Sequence, residues 1–331
     1  MLNLAMLGMW HTHAHGIVKQ VAAHPDEFSL VACYDADPKV VAERTKAWEP
    51  LLKKINVVKS AEALVAEQVD GIVVEGRVHD NLKSARLCLE AGKHVLLEKP
   101  AGTDLTEFRR LLDLARQKKR HVQMIYLFRY MSAVQEMFKR ARNDDLGELY
   151  YFRARLPKQF EDYDRFVEEL KPYKGGMFFE MAGHIIDMMV KVMGEPKGVT
   201  PFLGHHHTDG PENYIDNGVA VFEYEHGYGL IEVPALEVVP AQRRIEAFGI
   251  NGACIIPHLG SGHLKNRNVQ VFEYCKGGAK EWQFLELPAA TLQLADLREF
   301  AQVIAGKKQP DFSMAHDLIV QEYLLKASGM A

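Results

Sequence analysis

Ala91-Gly92-Lys93-His94-Val95-Leu96-Leu97-Glu98-Lys99-Pro100 is the stretch on which the fold turns. His94–Glu98 is a short apolar run of the kind buried on both faces of a parallel sheet. Gly92 sits where a helix ends, closing a helical stretch from about Asn81 to Glu90. A second helix follows over Asp104–Lys118, with Thr103 or Asp104 as its cap. Strand, helix and strand therefore alternate around this segment. The same rhythm runs outward to the N-terminus: strands at Leu2–Leu7, Ser29–Cys33 and Asp70–Glu75, with helices to about His24 and over Pro38–Trp48. Val122–Leu127 reads as one more strand. Consecutive right-handed crossovers of this kind give a doubly wound α/β domain.

The pattern changes near residue 130. A helix over Met131–Arg142 leads to an alternating stretch, Glu148–Leu156, and then to a long helix over Gly176–Met193. Six strand-like runs follow, at Gly218–Tyr224, Gly229–Val233, Arg244–Phe248, Ala253–Pro257, Val269–Tyr274 and Trp282–Leu287. Glycine and asparagine punctuate them at turn positions. Helices near Leu292–Ala305 and Ala315–Ser328 close the chain. The expected fold is α/β: a Rossmann-type doubly wound parallel sheet over residues 1–127, then an α+β domain with a large, mostly antiparallel open sheet over 128–331. The closing helices are candidates to pack back on the first domain.

Composition narrows the function classes. With 47% hydrophobic and 25% charged residues in 331, the chain has ample apolar surface for a large core. A net charge of −4 gives no reason to expect a nucleic-acid or membrane-surface partner. Cys33, Cys88, Cys254 and Cys275 are scattered with no CxxC spacing, as reduced thiols of a cytoplasmic protein would be. No apolar run reaches the roughly 20 residues of a membrane span. Met1–Trp10 reads as a strand rather than a signal peptide, because no basic segment precedes it and no small-residue cleavage site follows.

Two motifs carry chemistry. In a doubly wound sheet the carboxyl ends of the strands face the ligand crevice, so Lys99 is delivered there. Pro100 holds Lys99 extended and is a candidate for a cis bond. The bland reading is a snorkelling surface lysine. The second motif is Lys174-Gly-Gly-Met-Phe-Phe-Glu-Met-Ala-Gly-His-Ile-Ile-Asp187. Glu180, His184 and Asp187 lie at i, i+4 and i+7, a polar stripe on an otherwise apolar helix. Such a stripe is costly to bury unless it is paired or functional. His184 can exchange a proton near neutrality, and Glu180 can fix its tautomer. The alternative is a structural histidine–carboxylate pair.

Together these motifs resemble the glucose–fructose oxidoreductase, inositol dehydrogenase and rhizopine-catabolism family (Gfo/Idh/MocA), over nearly the whole chain. AGKHVLLEKP matches its lysine motif, and the Lys174–Asp187 stretch looks like its substrate-site helix. Asp216–Val233 and Arg243–Ile256 are similar to its C-terminal sheet, and Ala295–Ser328 to its closing helices. The resemblance implies hydride transfer between a nicotinamide cofactor and a secondary hydroxyl of a sugar, sugar derivative or cyclitol. It implies that Lys99 contacts the reacting hydroxyl, that His184 is the general acid/base, and that Glu180 stands where the family most often has aspartate. Asp187 is expected to support the helix. The resemblance further implies that the open sheet serves in a homodimer or homotetramer.

The phosphate loop departs from the family's G-x-G-x-x-G/A. Gly8 is kept, but Trp10 and His13 occupy the second and third glycine positions. Helix N-terminal N–H groups remain available for a pyrophosphate. Asp35, ending the second strand, suits the ribose hydroxyls of NAD and would repel the 2′-phosphate of NADP. Asn81 replaces the family's usual histidine after the third strand. The cofactor residues are thus Gly8, Trp10, His11, His13, Asp35, Asn81, Glu98 and Lys99. Substrate contacts are Lys99, Glu180 and His184, with Arg129, Tyr163 and Tyr173 as weaker candidates.

His11, His13 and His15 alternate in Trp10–Gly16. An H-x-H after a first strand also opens many amidohydrolase barrels, where it binds zinc. A metal-dependent hydrolase is therefore a competing reading, but it needs a barrel, which the C-terminal half opposes. A degenerate phosphate loop also suits a non-catalytic dinucleotide or sugar sensor. Retention of both Lys99 and His184 favours an enzyme. No metal is expected, and the run His205-His206-His207 reads as a polar loop.

Overall fold

The computed structural model describes residues 1–52, 55–159, 164–207, 214–238, 241–260 and 268–331. They form two compact units: Met1–Ile125 with Leu292–Leu318, and Tyr126–Thr291 with Ile319–Ala331.

The first unit runs β1 (Leu2–Leu7), α1 (His13–Ala23), β2 (Phe28–Tyr34), α2 (Pro38–Trp48), α3 (Ala61–Val65), β3 (Gly71–Val74), α4 (Val78–Glu90), β4 (His94–Leu97), α5 (Leu105–Lys118) and β5 (Val122–Met124). The strands are parallel in the order β2-β1-β3-β4-β5. Every residue of β3 is buried, and all but the first of β4. Helices on both faces account for these continuous apolar runs. An isolated parallel bridge from Val57 to Cys33 adds a vestigial strand outside β2. With it the order becomes that of a dinucleotide-binding sheet, reversing direction between β1 and β3. The helix ends follow local chemistry. Asp37 caps α2 by accepting the Lys39 N–H, with Pro38 in the first turn. Asp104, not Thr103, caps α5 through the Glu107 N–H.

The second unit opens differently from the sequence expectation. β5 stops at Met124, and Leu127–Tyr130 form a 3-10 turn. Then come α6 (Ser132–Arg142), β6 (Leu149–Arg155), α7 (Asp164–Leu170), α8 (Gly176–Met193), β7 (Gly198–Gly204), β8 (Asn217–Tyr224), β9 (Gly227–Pro234), β10 (Arg244–Gly249), β11 (Gly252–Ile256), β12 (Val269–Lys276) and β13 (Gln283–Pro288). These strands form one sheet in the order β13-β12-β11-β10-β6-β9-β8-β7, antiparallel except for β6 against β9. β7 was not anticipated. It is a continuous edge strand that carries Pro201, which is tolerated at an edge but hides the strand's signal in the sequence. β8 and β12 alternate buried and less buried residues, so the sheet has one covered face.

α8 packs on the covered face and is buried on all sides from Gly176 to Val190. It lies close: a Cβ at Gly218 would stand 2.4 Å from the Phe178 ring. The chain closes with α9 (Leu292–Ile304) and α10 (Met314–Ala327). α9 belongs to the first unit, where Asp296 accepts the Gln123 amide at 2.8 Å.

Candidate active site

In the first unit the site is built where β1, β2 and β3 end. A cleft of about 620 Å³ opens there, walled by Gly8, Trp10, Asp35, Arg77 and Lys83 among others. Gly8 has φ +82°, and a Cβ on it would lie 2.5 Å from the Cα and N of Gly76. The loops after β1 and β3 thus pass backbone against backbone, which only glycine permits. Asp35 fixes this loop: its carboxylate accepts the N–H groups of Met9 at 2.7 Å and Asp37 at 2.9 Å. Trp10 packs into the wall, 4% exposed, with the Arg77 guanidinium 4.9 Å from its ring centre.

Arg44 was not foreseen as part of the site. It is buried in α2, and its Nε donates to the Met9 carbonyl at 2.8 Å, while Nη2 donates to Trp10 and His11 carbonyls at 3.0 and 3.2 Å. A guanidinium therefore holds three successive carbonyls of the loop. One signal was readable: Val40, Arg44 and Trp48 share the buried face of α2, so a charge sits on the apolar stripe.

Lys99 follows β4, is 3% exposed and precedes a cis Lys99–Pro100 peptide. Its amide donates to Glu98 Oε1 at 2.9 Å. Asn81 spends its amide on the same strand end, donating to the carbonyls of Glu98 at 3.3 Å and Pro100 at 3.0 Å. At 1% exposed, Asn81 ties α4 to the lysine motif.

Glu98 anchors a cluster. Its Oε2 lies 2.8 Å from His13 Nδ1 and 3.2 Å from His11 Nδ1, and the two rings meet edge to face at 4.5 Å. The His13 amide also points at His11 Nδ1, at 3.3 Å. Glu75 Oε2 stands 3.5 Å from the same His11 nitrogen. Burial alone would raise the Glu98 carboxyl, but the two imidazoles hold it well below the usual carboxylate range. Glu75 goes the other way: burial first, then the charge of Glu98, push it up to about 8. Burial also lowers His13, against the opposing pull of Glu98.

In the second unit the polar stripe of α8 is buried: Glu180 and His184 are each 3% exposed and Asp187 is fully buried. The His184 ring stacks on Phe128 at 4.7 Å and meets Tyr126 edge-on at 5.8 Å. Arg129 forms a two-bond fork with Asp187, Nε to Oδ2 at 2.9 Å and Nη2 to Oδ1 at 2.6 Å, and is 1% exposed. Burial, then the carboxylates of Glu180 and Asp216, push the Tyr214 phenol upward. Asp216, another residue the sequence did not single out, accepts the amides of His206 and His207 at 3.0 and 2.9 Å. It therefore shapes the histidine run, and His205 Nδ1 donates to the Tyr214 carbonyl at 2.7 Å. Tyr173 packs its ring against Phe179 at 5.5 Å. Tyr163 lies outside the described residues.

A family model described as "Oxidoreductase family, NAD-binding Rossmann fold" matches residues 2–126, and one described as "GFO/IDH/MocA C-terminal domain" matches residues 134–255. The chain belongs to the GFO/IDH/MocA oxidoreductase family. Members similar to it include the myo-inositol 2-dehydrogenase of Thermotoga maritima, 26% identical over 200 residues that cover 58% of this chain and 57% of that one. The trans-1,2-dihydrobenzene-1,2-diol dehydrogenase of Macaca fuscata fuscata is 26% identical over 159 residues, 47% of each chain. The chain spans about half the length of the curated relatives it matches. Among solved structures, the WlbA dehydrogenase from Bordetella pertussis, in complex with NADH and UDP-GlcNAcA, superposes with a TM-score of 0.79 at 18% identity, covering 100% of this chain and 96% of that one. That likeness shows the shared fold. Family membership makes the first unit an NAD-binding Rossmann domain and leaves no place for the barrel that the hydrolase reading requires.

Proposed function

We propose that this oxidoreductase is an NAD-dependent dehydrogenase acting on a secondary CH–OH of a sugar, sugar derivative or cyclitol. The observation that carries the reading is Lys99, buried at the mouth of the parallel sheet and held there by Glu98 and Asn81. Its burial to 3% exposure at the carboxyl end of a parallel strand supports a chemical role over a solvated one.

The cleft fits the cofactor. Asp35 is the acid for the ribose hydroxyls, and its charge favours NAD over NADP. Gly8, Trp10, His11 and His13 form the loop that would receive the pyrophosphate at the start of α1. The nicotinamide, when bound, supplies the hydride chemistry. The chain's own residues manage the proton and the oxygen. His184 takes the hydroxyl proton in oxidation and returns it in reduction, Glu180 orients it, and the Lys99 ammonium stabilises the oxygen as charge develops. Asn81 and Glu98 act by positioning Lys99. Arg129 and Asp187 fix α8, so that Arg129 acts on substrate geometry through the helix.

The names of the relatives support the substrate class, since one acts on myo-inositol and a structural neighbour holds a nucleotide sugar. The outward face of the second unit's sheet carries Phe202, Tyr228 and Phe284, each more than half exposed, which suits a homodimer or homotetramer. Among the described residues no helix is long and apolar enough to cross a membrane. A cytoplasmic location and small-molecule partners complete the proposal.

The test is calorimetric titration with NAD⁺, NADH, NADP⁺ and NADPH, followed by a polyol and sugar screen at the nicotinamide absorbance. Micromolar binding of the non-phosphorylated pair is expected. On the substrate found, Lys99→Met and His184→Ala should each lower kcat by about 10²–10⁴. Binding of none of the four cofactors would move the reading to the sensor.

A further inference from the structure

The loop after β1 brings two histidines onto a carboxylate contributed 85 residues later in the chain, at Glu98. His11 and Glu98 are nearly fully buried, and His13 is mostly so. One donor atom from each of the three lies within 4.8 Å of the other two. A second carboxylate, Glu75, is fully buried beside His11, and neither of its oxygens makes a hydrogen bond among the described residues. Two buried carboxyl groups thus face two imidazoles across a gap small enough for one cation to bridge.

Two of the cluster's three edges come near the spacing of a coordination shell. Zinc binds imidazole nitrogen and carboxylate oxygen at about 2.0–2.1 Å, so neighbouring ligand atoms of a tetrahedral site stand about 3.3 Å apart. His11 Nδ1 to Glu98 Oε2 is 3.2 Å and His13 Nδ1 to Glu98 Oε2 is 2.8 Å. Small side-chain shifts bring both onto that edge length. Two imidazoles and one carboxylate suit zinc, cobalt(II) or nickel(II), and disfavour calcium and magnesium, which take oxygen shells.

We propose that His11, His13 and Glu98 form a binding site for one divalent transition-metal ion of the zinc class. Three protein ligands leave a fourth position for water or for a donor oxygen of a bound ligand. Glu75 stands outside the shell on the His11 side, 3.5 Å from the His11 Nδ1. H-x-H spacing by itself could not establish this, because the third ligand comes from β4. The site needs only residues of the first unit, so it stands whether or not the chain transfers hydride.

The test uses the full chain, stripped with a chelator and dialysed, then titrated with zinc against a chromophoric competitor. Cobalt(II) replaces zinc in a parallel absorbance titration. One equivalent with sub-micromolar affinity, and intense visible bands of four-coordinate cobalt, are expected. His13→Gln, at a partly exposed position that should fold, is expected to lose at least about 100-fold in zinc affinity. His205→Gln, in the other histidine-rich loop, should change nothing. Weak binding of zinc by the parent chain, a loss below tenfold in His13→Gln with its circular dichroism intact, or a loss in His205→Gln would each overturn the proposal.

Discussion

Asp187→Asn tests how α8 is held. The perturbation removes one charge and leaves the Arg129 guanidinium in place, 1% exposed, with its fork of 2.9 and 2.6 Å bonds broken or weakened. A buried pair is nearly neutral as a whole, because desolvation offsets attraction, but removing one partner strands the other. The expected loss is about 3–5 kcal/mol. Against a domain stability of about 5–15 kcal/mol this is a large fraction. Urea unfolding followed by far-ultraviolet circular dichroism measures the loss. Hydrogen exchange on peptides from 176–193 assigns it to the second unit. The control is the apolar swap Arg129→Met with Asp187→Leu, which should return to within about 2 kcal/mol of the parent. A loss below about 1 kcal/mol in Asp187→Asn would mean that the guanidinium finds water, and a double variant no better than the single would mean that a stranded charge is not the source of the loss; either result refutes the reasoning.

Three further outcomes follow from the first unit. Gly8→Ala should cost about 1–3 kcal/mol, because its φ is +82° and the added Cβ meets Gly76 backbone at 2.5 Å; a thermal melt and an NADH titration should both show the damage. Asp35→Ser should raise the NADPH-to-NADH affinity ratio by at least about tenfold, read by fluorescence titration, since the acid that repels a 2′-phosphate is gone. Lowering pH should destabilise this unit between about 6.5 and 4. Burial holds His94 and His121 at about 4, so the unfolded chain takes up protons first as pH falls from 6.5. The contribution is fully present above pH 6.5 and lost towards pH 4. With His94 discounted for its partial exposure, the two together amount to about 2–4 kcal/mol. Equilibrium urea titrations at pH 7 and pH 5 measure it, and His121→Gln should flatten the dependence.

Much of the fold was legible from local pattern. Buried runs such as Gly71–Val74 and His94–Leu97, the helix start at Pro38, and the polar stripe of α8 each follow from periodicity and turn chemistry within a few residues. The positions of Lys99 and His184 on their elements were legible for the same reason. Weak or masked signals were not: β7 carries Pro201 in its middle, and the bridge at Val57 is a single pair. The tertiary structure alone decided which polar groups meet. Arg44 reaches the carbonyls of Met9, Trp10 and His11 across more than 30 residues, Arg129 finds Asp187 across 58, and His13 finds Glu98 across 85. Periodicity reports which face of an element is buried, not what lies on the other side of it. The partner of a buried charge is chosen by strand order and crossover, which bring distant strand ends to one edge of the sheet, and there the cost of leaving a charge unpaired does the rest.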